Sequence, residues 1–155
     1  MGKLTAAEVD EYFEKHLPYR TRILLAHYRM TRKEWTDDAG WLDACFIAAL
    51  VTARLFLNML GIGKKDGALA KFVPHADDVT VEDLGGQLLD PTALPTAERD
   101  LFFNFLTMAD KAAAHFTLPM KHDWNKTDEV VLRIHHYVAV NLYDHTRRSF
   151  PDATL

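Results

Sequence analysis

Apolar residues recur every three or four positions through most of the chain, a rhythm that predicts helices. Ala6, Val9, Phe13 and Leu17 repeat at helical spacing behind Thr5, and Glu8 follows Thr5 at the interval of a capping box. Pro18 is expected to end this first helix and to open a second that runs to about Lys33, because proline suits a first turn and disrupts an interior. Asp37 or Asp38 is the expected cap of a third helix, which carries Trp41, Cys45, Phe46, Leu50, Ala53 and Leu57 to Leu60, with Gly61 placed to stop it. This third helix, about 38–60, is apolar on nearly every side, and such a helix belongs at the centre with the others around it.

After Pro95, Leu101, Phe102, Phe105, Ala109, Ala112 and Phe116 share one face of a fourth helix that Leu118-Pro119 ends. A fifth begins at Thr127 or Asp128, carries Val130, Val131, Ile134, Val138 and Leu142, and fades near Arg148. Between the third and fourth, residues 61–95 form an irregular insertion. The run from Gly61 to Gly67 and the pair Gly85-Gly86 are turn material there. Short helices at Thr80–Leu84 and near Gln87–Leu89, or a small hairpin, are the open alternatives. The expected architecture is an all-α bundle, orthogonal or up-down, of about five main helices. Residues 1–148 make a single helical domain and 149–155 a flexible tail.

Composition narrows this picture. The 155 residues suit one domain, and 48% hydrophobic content suffices for a real core. A net charge of -4 argues against non-specific binding to nucleic acid or anionic membrane, while leaving room for a local basic face. Cys45, the only cysteine, sits in an apolar run, so it reads as a core residue and allows no internal disulfide. The first residues lack the apolar stretch of a signal peptide. Residues 44–60, interrupted by Thr52, Arg54 and Asn58, read as too short and too polar to span a bilayer. No membrane partner and a cytoplasmic location are therefore expected.

Candidate chemistry comes from polar residues on apolar faces. Arg20 and His27 lie only about 20° apart around the second helix, on the side of Ile23 and Leu24. A buried arginine needs a partner, for which Glu98, on the apolar side of the fourth helix, is the natural choice. Asn141 and His145 share the side of Ile134 and Val138. One reading is a satisfied structural network. Another is a pocket between the second and fifth helices where His27 and His145 handle protons or hold a ligand, with Asn141 within reach. Arg22, Arg29 and Lys33 form a separate basic stripe that would contact RNA or a nucleotide through phosphates. There is no His-Glu-x-x-His, and adjacent His135 and His136 point about 100° apart. A metal site would have to draw His27, His115 and His145 from separate helices. No motif names a cofactor. Gly61-Ile62-Gly63-Lys64-Lys65 follows a helix and lacks the Walker hydroxyl, so it reads as a cap and turn.

Four residues separate Arg22 from His27 and six separate Arg20 from it. On a helix this resembles the Arg-x(4–6)-His pattern of the HEPN nucleotide-binding and ribonuclease domains, which are small helical bundles. The resemblance covers about eight residues plus the helical class. It implies that the arginine and histidine act on RNA phosphate at a dimer cleft, without a metal.

Three functions thus stand open. The first is a helical interaction or accessory domain that self-associates, with Trp35, Trp41 and Trp124 at a rim or partner surface. The second is a metal-independent ribonuclease or nucleotide-binding bundle using Arg20, Arg22 and His27, supported by Asn141 and His145. The third is a metal-dependent enzyme with histidine ligands.

Overall fold

In a computed structural model, residues 4–32, 39–114 and 124–151 are described. The expected caps Asp37 and Asp38, the Leu118-Pro119 stop, Lys33, Trp35 and His115 lie outside them. The chain forms an all-α bundle around one long apolar helix, with a small β insertion.

The first helical segment is longer than the sequence suggests. Helix α1 (Ala6–Glu11) opens with the expected capping box: the Glu8 carboxylate accepts from the Thr5 amide at 2.7 Å, and the Glu8 amide donates back to the Thr5 hydroxyl at 3.3 Å. A π-turn over Tyr12–His16 then leads straight into α2 (Leu17–Leu24). Pro18 therefore does not separate two helices. It lies in the first turn of α2, where the loss of its amide is tolerated, and the wider π-turn before it absorbs the change in hydrogen bonding. The break falls instead at Leu25, before α3 (Ala26–Met30).

Helix α4 (Ala39–Met59) is the central element. It packs against α2 and α3, against α5 (Thr96–Ala114) and α6 (Trp124–Val138), and against the first strand of the insertion. Phe46, Leu50, Ala53, Phe56, Leu57 and Leu60 enter the core from it, meeting Leu17, Leu24, Phe102, Phe105, Val130 and Ile134. By length and composition alone, Trp41–Met59 would also suffice to cross a bilayer, contrary to the reading of residues 44–60 as too short and too polar. The core helix of a bundle meets the same criterion, and of this window 39% is buried inside the bundle.

Gly61 stops α4 as expected, at φ 90°, a conformation glycine adopts without a Cβ penalty. Strands β1 (Ile62–Lys65) and β2 (Ala68–Lys71) then form the small hairpin, in the register Ile62↔Lys71 to Lys65↔Ala68. Asp66 and Gly67 both take positive φ, as the tight turn between twisted strands demands. The rest of the insertion satisfies the carbonyls that α4 leaves open: Val81 donates to Met59, Leu89 to Leu60 and Phe72 to Gly61, at 2.8–2.9 Å. No helix forms at Thr80–Leu84. The Thr80–Asp83 side chains cap a single turn that Gly85, at φ 84°, closes at once. Gln87–Leu89 is likewise not helical, because its amides reach outward to Asn141 and Leu60.

The last helix begins at Trp124, ahead of the expected Thr127 or Asp128, and continues from α6 through a π-turn over Ala139–Asp144. Beyond it, Phe150 sets its ring edge-on to Tyr143 and His135, each at 4.7 Å. The π-turn is where the insertion docks. Gln87 donates to the Asn141 carbonyl at 2.8 Å, and a Cβ on Gly86 would stand 2.6 Å from that same oxygen. Gly86→Ala is therefore expected to cost about 2 kcal/mol or more, since backbone must move on one side or the other. Urea unfolding of the variant beside the wild type measures it.

Candidate functional site

His27 meets an acid that no spacing in the chain pairs with it. Its Nδ1 lies 3.4 Å from Asp128 Oδ1, and Arg32 Nη1 donates to Asp128 Oδ2 at 3.0 Å. The Arg32 guanidinium also stacks 3.6 Å above the Tyr28 ring, while the His27 ring stands edge-on to Phe46 at 5.4 Å. These contacts follow from local structure. Helix α3 turns His27 inward toward α4, and the first turns of α6 present Asp128 to it.

His27 is only 3% exposed, and burial pushes its pKa below the ordinary 6.5 more strongly than the Asp128 charge raises it. Neutral His27 packed on an aromatic ring and an acid braced by arginine form a seam between α3 and α6.

The other residues singled out from sequence fall in different places. Arg20 and Arg22 are exposed on α2. Arg20 lines a shallow cleft of about 220 Å³ with Tyr12, Asn58, Phe72, Asp77 and Asp78, away from Phe46 and Asp128. The expected Arg20–Glu98 pair does not form, because Arg20 points to solvent and Glu98 is engaged elsewhere. Its carboxylate accepts from the Tyr137 hydroxyl and pairs with Arg133 at 2.8 Å, so α5 is tied to α6. Burial first, and then Glu98, push the Tyr137 hydroxyl up to about 12.

Asn141 is a structural clamp, its amide donating to the Gln87 carbonyl at 3.1 Å, and His145 is exposed at the end of the last helix. The structure thus does not gather Arg20, Arg22, His27, Asn141 and His145 into one pocket. Of the histidines considered for a metal, His27 faces Asp128, His145 faces solvent and His115 lies outside the described residues. Among the described residues no group of three His, Cys, Asp or Glu side chains converges.

What the sequence reading missed is a surface. Among the described residues, helix α4 is covered on three sides and open on the fourth. Trp41 is 63% exposed, Ile47 54%, Val51 42% and Leu55 45%, and Ala44 is exposed with them. At about 100° per residue, Ala44, Ile47, Ala48, Leu55 and Asn58 all fall within about 60° of Val51, so they form a single stripe. One edge borders the cleft that holds Arg20. The other borders a hollow of about 160 Å³ lined by Leu50, Val51, Arg54, Leu55, Asn58 and Ala109. Beside it Asp110 joins Arg54 at 3.0 Å and Lys64 at 2.7 Å. The expectation that the other helices surround α4 is corrected by this stripe: on it, apolar residues face water.

No protein-family model matches the chain, and no curated protein or solved structure matches it significantly.

Burial of His27 also fixes a pH dependence. With its pKa lowered in the fold, the unfolded chain takes up a proton that the folded chain resists. The stability contributed by neutral His27 is full above about pH 6.5 and is lost as pH falls through that value. His135, lowered by burial and then by Arg29 and His136, acts in the same direction. The fall in Tm between about pH 7.5 and about pH 5.5 is expected to be smaller in His27→Gln than in the wild type, with a remainder due to His135. An equal fall in both proteins would show that His27 does not titrate with folding.

Proposed function

We propose that this chain is a helical interaction module that binds its own kind through the open face of α4. The observation that carries the reading is the stripe of Ile47, Val51 and Leu55 left in water on a helix otherwise given over to the core. Such a largely apolar strip, bordered by Arg54 and Asp43, is what an association surface looks like before its partner arrives. The histidine and carboxylate pairs support the same reading from the other side. His27–Asp128 and Glu98–Tyr137 tie helices together, and Asn141 holds the insertion in place, so these polar groups are committed to the fold.

Sedimentation equilibrium is expected to show a reversible dimer for the wild type and a monomer for Val51→Glu at the same concentrations. Val51 is exposed in the monomer, so the substitution should shift folding stability by no more than about 0.5 kcal/mol. A wild type that stays monomeric at the highest soluble concentration would refute the proposal. So would a dimer that Val51→Glu leaves intact.

A further inference from the structure

The open face of α4 has the shape of one half of a two-fold interface, and its residues specify how two copies meet. We infer that two chains pair α4 against α4 in antiparallel fashion, with the axis at Val51 and Ile47 of each copy seated in the hollow of the other. This rests on the self-association proposed above and adds its geometry.

A two-fold contact uses one patch twice, so each residue must suit the residue that symmetry sets opposite it. With the axis at Val51, Ile47 comes opposite the partner's Leu55, two branched aliphatic side chains of similar size. Ala48 comes level with the partner's Arg54 but on the other flank, and Ala44 comes opposite the partner's Asn58. At Ala44 a small residue faces the larger Asn58, which lets the backbones approach toward the ends of the contact.

The hollow supports the same register independently. Val51, Arg54, Leu55 and Asn58 stand at positions i, i+3, i+4 and i+7, the four corners of the hole that receives a side chain in knobs-into-holes packing. Leu50 and Ala109 close its floor and side. In an antiparallel pair the same flank of each helix faces its counterpart. Ile47 leans toward the flank that carries Arg54, so the partner's Ile47 arrives over this hole.

Charge decides between the two directions. Asp43 is exposed on that flank at the N-terminal end of α4, and among the described residues it makes no ion pair. At the C-terminal end of the same flank, Arg54 and Lys64 share the single acid Asp110, which leaves a net positive charge. The antiparallel arrangement brings each Asp43 toward that cluster on the other copy, and it opposes the two helix dipoles favourably. A parallel arrangement sets the two Asp43 carboxylates at one level and aligns the dipoles.

Area sets the expected strength. The 21 residues of α4 run about 31 Å, and a strip about 12 Å wide covers less than half of the roughly 800 Å² per partner of a standard interface. The flanking α2 and α5 must supply the remainder, so the dimer is expected to be reversible and of modest affinity.

Cross-linking of the full chain in a Cys45→Ala background tests the register. Val51→Cys is expected to form a disulfide-linked dimer by itself. Ile47→Cys mixed with Leu55→Cys should join through a short bis-maleimide, while each alone joins poorly. Ile47→Ala, which removes the knob from an exposed position, should weaken the dimer about tenfold or more in sedimentation. Efficient joining of Ile47→Cys to itself and of Leu55→Cys to itself would overturn the antiparallel register while leaving self-association intact. A dimer insensitive to Ile47→Ala would overturn the knob. A monomeric wild type, including one that floats with neutral lipid vesicles instead of pairing, would overturn the register together with the reading beneath it.

Discussion

Burial of one face of α4 dictates where the surrounding elements lie. Leu50, Ala53, Phe56, Leu57 and Leu60 leave water almost entirely, and each large aliphatic or aromatic side chain so buried contributes about 1.5–3 kcal/mol. To cover them, α2 and α3 lie along one side, α5 and α6 along others, and the hairpin insertion closes the C-terminal end. The insertion is a plug more than a decoration. Its amides satisfy the carbonyls at the end of α4, which would otherwise be buried without partners.

Around this core the polar side chains that stand on apolar faces are used as fasteners between helices. Asp128 joins α6 to His27 on α3, with Arg32 alongside. Glu98 joins α5 to Tyr137 and Arg133 on α6, and Asp110 joins α5 to Arg54 on α4 and Lys64 on β1. Pairs of this kind add little net stability, because desolvation offsets much of their attraction. Removing one partner leaves the other stranded, and each pair favours one alignment of its helices over slipped ones. The same packing holds His27 itself inside the bundle. The His27 ring is occupied by Phe46 on one side and Asp128 on another.

The same constraint explains the open stripe. A helix apolar all round asks for cover all round, and the described elements provide it on three sides. The fourth side keeps the residue types of a core, with alanines where another backbone could come close and larger side chains beside a hollow. In the proposed dimer a second α4 would meet this side and complete the burial that the single chain leaves unfinished.

The local elements are legible in the chain alone, because they depend on near neighbours. The Thr5–Glu8 capping box, the stop at Gly61, the extent of α4 and the helical faces of α5 and α6 all follow from residues within a turn or two. Where a local rule failed, a wider hydrogen-bonding context had replaced it: the π-turn before Pro18 carried the helix onward, and Gly85 cut short the turn at Thr80. The tertiary structure alone decided the pairings. His27 and Asp128 stand far apart in the chain, and the hydrogen bond from Arg32 to Asp128 spans 96 residues, so no spacing could announce them. Nor could the sequence show which part of α4 stays open. Valine on a buried face and valine on a face awaiting a partner are the same letter at the same helical phase. Only the positions of the surrounding helices distinguish them.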